Sequence, residues 1–137
     1  MLIYRVEHSI SNEGMFQSHT YSRIAQTPEL YEKYRREIYN VIRNIPHIPC
    51  HEACNSGMEK LYLKMRNSDN MLFGCRSIEE LKQYWLPDFN NLIKSLDECG
   101  FVLARYETAD YVTLITQVVF NKNNVIQKDI ISLRSLL

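Results

Sequence analysis

The chain has 137 residues, of which 45% are hydrophobic and 11% aromatic, and its 16 basic and 16 acidic side chains give a formal net charge of zero. This predicts one domain with a core of its own. The charge balance argues against nucleic-acid binding, because proteins that neutralise phosphates are usually basic. We find no apolar run long enough to span a bilayer and no signal-peptide pattern, so we expect a cytoplasmic protein with free thiols.

The N-terminal third is predicted to contain one strand and one helix. Residues 2–7 alternate as a strand, and residues 8–26 follow as a loop. Thr27 is a suitable N-cap and Pro28 suits the first position of a helix that spans 28–45. The helix interleaves tyrosines with lysine and arginine, which can serve single-stranded nucleic acid. Its interleaved glutamates favour a solvated face with local ion pairs instead.

A second helix is predicted in the middle of the chain. Residues 71–75 have the pattern of a buried strand. Ser77 and Glu80 then have the spacing of a capping box at the start of a helix over 78–98. Pro87 should kink or split this helix, and the glycine that follows Cys99 should end it.

The C-terminal part is predicted to contain a hairpin and a last helix. Residues 101–107 and 111–120 read as its two strands, which should pair with strand 2–7 or 71–75. Residues 121–137 read as a turn plus a C-terminal helix. The predicted fold class is α+β, with a single domain over 1–137 and a mostly antiparallel sheet of about four to five strands covered by two main helices.

The segment HIPCHEAC at 47–54 is the densest group of metal-ligand residue types. Cysteine and histidine at such spacings are typical of zinc sites. Four ligands within eight residues do not easily converge on one ion, because neighbouring side chains point apart. We therefore expect no metal and no cofactor, and keep a metal-stabilised interaction domain as an alternative with these candidate ligands: His47, Cys50, His51 and Cys54.

Four further polar side chains lie on or beside the predicted strands. Arg5 should point away from the apolar face, to solvent or into a cleft. Glu107 and Asp110 fit a turn, and Gln117 fits a buried amide that needs a partner.

Short motifs spread along the chain resemble a family of small phage, prophage and bacterial proteins. The resemblance implies a phage-type protein but no particular activity. Its motifs are Tyr4-Arg5-Val6-Glu7, the His47 to Pro49 loop, Phe73-Gly74 with Ser77, Gly100-Phe101, Tyr106-Glu107, and Gln117-Val118 with Phe120.

A second resemblance is to ADP-ribosyltransferase-type folds, which would make the protein an NAD-binding enzyme. It implies catalytic roles for Arg5 on the first strand, Ser77 before a helix, and Glu107 or Gln117 on a late strand. The chain departs from that pattern because it has no Ser-Thr-Ser run.

The resulting hypothesis is a non-enzymatic phage accessory protein that binds a host or phage protein. An inhibitor of bacterial defence, such as an anti-CRISPR protein, is one form of it. Nine tyrosines and a neutral charge suit a protein partner, and they also suit a homo-oligomer.

Overall fold

The computed structural model describes residues 1–16, 21–43 and 70–137, which form an α+β fold with two three-stranded sheets. The predicted fold class is therefore confirmed. The strands are β1 (Leu2–His8), β2 (Met71–Gly74), β3 (Phe101–Thr108), β4 (Tyr111–Thr113), β5 (Val118–Asn121) and β6 (Val125–Ile131). The helices are α1 (Tyr21–Ile24), α2 (Pro28–Tyr34), a π-helical turn (Arg35–Tyr39), α3 (Asn40–Ile42), α4 (Ile78–Tyr84) and α5 (Phe89–Glu98), with 3-10 turns at Lys122–Asn124 and Leu133–Leu136.

Both sheets are antiparallel and they join at one point. The first sheet has the order β1-β3-β6 and the second β2-β5-β4. At the junction, Tyr4 and Cys75 exchange two backbone hydrogen bonds of 2.8 Å each. Gly74 permits this close approach, because a Cβ there would lie 2.4 Å from Cγ2 of Ile3. The predicted sheet is thus divided in two, with β1 next to both parts.

The first sheet is covered on both faces. Val6 and Leu103 lie on one face, in the larger core with Leu92, Ile93 and other side chains of the helices. On the opposite face Ile3, Ala104 and Tyr106 pack against Val118 and Phe120 of the second sheet. Alternate side chains of β1 therefore enter two different cores, and its polar residues are buried with the apolar ones.

The predicted hairpin over 101–120 is wrong as a pairing. β3 pairs with β1 and β6, whereas β4 pairs with β5 in the other sheet. The Thr108 side chain accepts the N–H of Asp110 at 3.1 Å, and this turn leads the chain from one sheet into the other. The expected pairing with the 2–7 and 71–75 strands is confirmed, by β3 with β1 and by β5 with β2.

The predicted C-terminal helix is also wrong, because Val125–Ile131 is strand β6. Isoleucines four residues apart suggested helical spacing. In the fold, β6 occupies the second edge of β3, and pairing along that edge outweighs a local pattern that a short segment could not stabilise alone. A 3-10 turn follows, and its Leu133 is buried in the larger core.

Several helix signals are confirmed. The Thr27 side chain accepts the N–H of Leu30 at 3.1 Å, as an N-cap should. The helix expected over 78–98 is split at Pro87 into α4 and α5. Gly100 follows α5 with a φ of 90°, a conformation that glycine tolerates best. The π-helical turn inside the first long helix has no counterpart in the sequence-based prediction.

Candidate functional site

Four polar side chains form a cluster on the face of the first sheet that faces the second, three of them buried and the fourth, a lysine, partly exposed. We call Arg5, Glu7, Tyr106 and Lys128 the Glu7 cluster. Oε2 of Glu7 accepts Nε of Arg5 at 3.1 Å and the Tyr106 hydroxyl at 2.8 Å. The Lys128 ammonium lies 2.6 Å from Oε1 in an ion pair. Nη1 of Arg5 donates to the Phe73 carbonyl at 2.9 Å, so the cluster also ties β1 to β2.

Burial governs the electrostatics of this cluster. The Arg5 side chain is 3% exposed and that of Glu7 1%. Burial lowers the pKa of Arg5, while the neighbouring Glu7 carboxylate opposes that shift. Burial and the same carboxylate raise the pKa of the Tyr106 hydroxyl well above its usual range. The expectation that Arg5 faces solvent is wrong, because the second sheet covers the face on which Arg5 lies.

A second buried polar group lies where β1 meets the end of α5. Nδ1 of His8 accepts the N–H of Ile10 at 3.1 Å, so Nε2 carries the proton and donates to the Cys99 carbonyl at 3.2 Å. Burial lowers the pKa of His8. The ring contacts Tyr21 and Phe101 edge-on. The neutral imidazole of His8 makes two hydrogen bonds among aromatic rings and so holds the end of β1 against the end of α5.

The described surface contains a shallow groove between α5 and the continuous helical segment made of α2, the π-helical turn and α3. We call it the helical groove. Its volume is about 380 Å³, and it is lined by Lys33, Glu37, Val41, Asp88, Asn91, Leu92, Lys94, Ser95 and Glu98. The lining combines charges of both signs, an amide, a hydroxyl and two apolar side chains.

The π-helical turn shapes one wall of this groove. Asn40 donates its N–H to the carbonyl of Arg35, five residues earlier. This wider turn keeps Tyr34, Ile38 and Ile42 buried at a constant four-residue spacing, while Val41 is 39% exposed in the groove. Single π-turns in α-helices often occur at functional sites. The sequence offers no turn or breaker residue that would have revealed it.

Ion pairs cross the groove from one helix to the other. Lys33 pairs with Glu98 on α5 and with Glu37 at 3.3 Å on its own helix. The Ser95 hydroxyl donates to Glu37 at 3.1 Å. The hydrogen bond with Glu98 raises the pKa of Lys33, and the bond with Lys33 lowers that of Glu98. The groove is therefore polar at its centre and chemically suited to hold polar and charged groups of a ligand.

On the opposite wall of the groove, Asp88 has a positive φ. This residue precedes α5 with a φ of 52°, in the left-handed region that glycine, asparagine and aspartate adopt more readily than other residues. Its carboxylate accepts the side-chain amide of Asn91 at 3.0 and 3.2 Å instead of capping the helix backbone. The local structure holds both side chains at the rim of the groove.

The four residues that the transferase resemblance singled out occupy different settings. Arg5 is held by Glu7, and Ser77 caps α4 by accepting the N–H of Glu80 at 3.1 Å. Gln117 is buried before β5, as expected for a structural amide. Glu107 lies opposite Leu2 in the sheet register, which places it on the other face of the sheet from Arg5. Arg5 and Glu107 are thus not brought together, and transferase activity stays a prediction that labelled NAD would test.

The capping box of α4 differs in one detail from its predicted form. The Glu80 carboxylate reaches back past Ser77 to Arg76, whose N–H it accepts at 3.3 Å and whose Nε it accepts at 2.9 Å. Arg76 also donates to the carbonyl of Ile115 at 2.9 Å. The cap thereby links the start of α4 to the turn between β4 and β5.

The candidate metal ligands His47, Cys50, His51 and Cys54 lie outside the described residues. Within the described ranges, histidine, cysteine, aspartate and glutamate form no group of three or more that could hold a metal ion. Cys75 and Cys99, which are described, are buried free thiols.

Comparison with protein families identifies the lineage of this chain. The family model described as Bacteriophage T4 Y00F protein matches residues 1–134. The chain therefore belongs to this phage protein family, and the expectation of a phage-type protein is confirmed. Comparison with curated proteins and with solved structures gives no significant match. In the described part of the chain, every helix is too short or too polar to cross a membrane.

Proposed function

We propose that this phage protein is a non-enzymatic accessory protein that binds a host or phage protein through its helical groove. The observation that carries the proposal is the mixed lining of the groove, which combines two cations, three carboxylates and two apolar side chains: Lys33, Lys94, Glu37, Asp88, Glu98, Val41 and Leu92. A polyphosphate ligand would need a groove dominated by cations. Charges of both signs beside small apolar areas match the surface of another protein.

Exposed side chains beside the groove support the same conclusion. Val41, on α3, is 39% exposed in the wall that the α2–α3 segment forms. Asn91 and Lys94 on the opposite wall are also exposed. A partner segment in the groove would contact both walls at once.

The ion pairs within the groove can be exchanged for ion pairs with such a partner. Lys33 already has two carboxylate neighbours, Glu37 and Glu98, and Glu98 also lies 3.6 Å from Arg134. These pairs are partly solvated, so exchanging one of them for a charge on the partner costs little. A folded protein surface or peptide with both charge signs is therefore the chemical class of partner that fits.

An affinity experiment tests the proposal. Tagged wild-type protein and the variants Val41→Asp and Lys94→Glu would be used to capture proteins from infected host cells, with Lys122→Glu as a matched exposed control outside the groove. We expect one protein to be retained by the wild type and by the Lys122 variant, and to be lost with both groove variants. Retention that is equal for all four would contradict a role for the groove.

One specific form of this proposal is inhibition of bacterial defence, for example as an anti-CRISPR protein, and the phage lineage is compatible with it. Its test is the plating of a phage targeted by the host's immune system, with and without the protein expressed. Restored plating by the wild type, and not by Val41→Asp, would support it. Unchanged plating would contradict this form while leaving partner capture as an independent result.

A further inference from the structure

The outer edge of β6 combines exposed isoleucines with charges that are already neutralised. β6 is the last strand in the order β1-β3-β6, so one side of its backbone is not used in that sheet. Ile126 is 72% exposed and Ile130 57% exposed. An open strand edge with apolar side chains is a site for pairing with another strand.

Natural proteins commonly protect such an edge with a charged side chain, most often lysine. In β6 both charges are engaged on their own chain instead. The Lys128 ammonium turns inward to Glu7 at 2.6 Å, and the Asp129 carboxylate accepts Arg105 at 2.9 Å. Both charges are therefore partly neutralised on their own chain, and within the described residues β6 carries no further charged side chain that would oppose an approaching strand.

The sequence of β6 is self-complementary about Lys128. It reads Val-Ile-Gln-Lys-Asp-Ile-Ile, with two apolar residues at each end and a polar residue on each side of the lysine. A two-fold axis at Lys128 would place Ile126 opposite Ile130 of the second copy, twice in the interface. It would also place the Gln127 amide opposite the Asp129 carboxylate, which can accept from it.

The irregular pairing of β6 with β3 fits this arrangement. Thr108 pairs with Val125 and Glu107 with Gln127, which leaves Ile126 as the extra residue in β6. Ile126 thus has no opposite residue on β3, and its side chain is 72% exposed. Extra residues of this kind redirect a side chain at sheet edges.

We propose that two copies of this chain associate through antiparallel pairing of their β6 edges, which would join two three-stranded sheets into one of six strands. The two Ile126–Ile130 contacts would lie on either side of the axis and form the apolar part of the interface. Each Lys128 would meet its counterpart at the axis while remaining paired with Glu7. This dimer is independent of the helical groove, which lies on the helical side of the molecule.

Analytical ultracentrifugation over a hundredfold range of concentration tests the dimer. We expect the wild type to shift with concentration from the mass of one chain, 16.2 kDa, towards twice that value. Ile126→Glu and Ile130→Lys should each remain monomeric. Ile115→Lys is the matched control, because Ile115 is 73% exposed outside β6, and it should dimerise like the wild type.

Charge complementation separates a lost interface from a damaged fold. In a mixture of Ile126→Glu and Ile130→Lys, the new glutamate would face the new lysine at one pair while the other pair remains Ile–Ile. We expect the mixture to regain dimers that neither variant forms alone. A monomeric wild type at every concentration, or a dimer that is unaffected by both substitutions, would overturn the proposal.

Discussion

The stability of this fold depends on the protonation state of individual buried polar residues. His8 shows this most clearly, because its ring is neutral, donates to the Cys99 carbonyl and accepts the Ile10 N–H in an aromatic environment. Protonation would remove the acceptor at Nδ1 and place a charge where burial disfavours it. The protein should therefore depend on pH through this residue.

The direction of that dependence follows from the lowered pKa of His8. The unfolded chain, with a histidine pKa of about 6.5, binds a proton that the folded state resists. The contribution of His8 to stability is complete above that pKa and is lost as the pH falls below it, by at most about 1.4 kcal/mol per pH unit for one group. Denaturant unfolding at several pH values should show this loss in the wild type.

The variant His8→Asn provides the comparison. Its side-chain carbonyl can still accept the Ile10 N–H, but it does not titrate. We expect it to be less stable than the wild type at neutral pH and to lack the wild type's additional loss below pH of about 6.5. Parallel pH profiles for both proteins would show that His8 is not the titrating group.

The Glu7 cluster leads to a second prediction at this scale. Glu7→Gln keeps the size of the side chain and an acceptor for Tyr106, but leaves the buried Arg5 without its counter-charge. Removing one partner of a buried ion pair costs about 3–5 kcal/mol. Urea unfolding should show a loss of this order. Asp97→Asn is the control, since it breaks a 2.6 Å pair with the half-exposed Arg134 and should cost far less. Equal losses in the two variants would contradict the importance of burial.

At the scale of elements, the cap of α4 distinguishes a structural role from a catalytic one. Ser77→Ala removes the acceptor for the Glu80 N–H and should cost about 1 kcal/mol. Ser77→Asp restores an N-cap acceptor and should recover most of the stability in thermal unfolding. A Ser77→Ala protein with unchanged melting, but with a lost activity, would instead favour the functional role that the transferase resemblance implies.

The elements also show which local signals are sufficient to predict structure. The Thr27 cap, the break at Pro87 and the end of α5 at Gly100 are determined by side chains next to the feature itself. Strand partners depend instead on distant residues. Local spacing alone therefore predicts a helix for the C-terminal segment, whereas in the fold Val125–Ile131 pairs along an edge of β3.

In the candidate site, too, some contacts are predictable from local sequence and others depend on residues far apart in the chain. The spacing of Arg5 and Glu7, two residues apart on a strand, places them on one face and could have indicated an ion pair. Tyr106 and Lys128 come from strands far along the chain, and only the fold brings them to Glu7. The helical groove depends on the packing of two helices and on a π-turn without a sequence signal.

For the molecule as a whole, the segment HIPCHEAC leads to a prediction about metal. Cys75 and Cys99 are buried, and burial raises the pKa of Cys99, which disfavours the thiolate that zinc requires. We expect no metal to be needed for folding. The melting curve should be unchanged by EDTA, and elemental analysis should find less than one zinc per chain. Stoichiometric zinc together with unfolding by the chelator would show that His47, Cys50 and Cys54 are ligands.

The claim that this protein acts by binding another protein through the helical groove is tested most directly by site-specific photo-crosslinking in infected cells. A photoreactive amino acid would be placed at Asn91 in the groove or at Glu107, which is exposed on β3. We predict one dominant crosslinked host or phage protein from position 91 and none from position 107. A groove position that yields no crosslink, or the same product from both positions, would contradict the account.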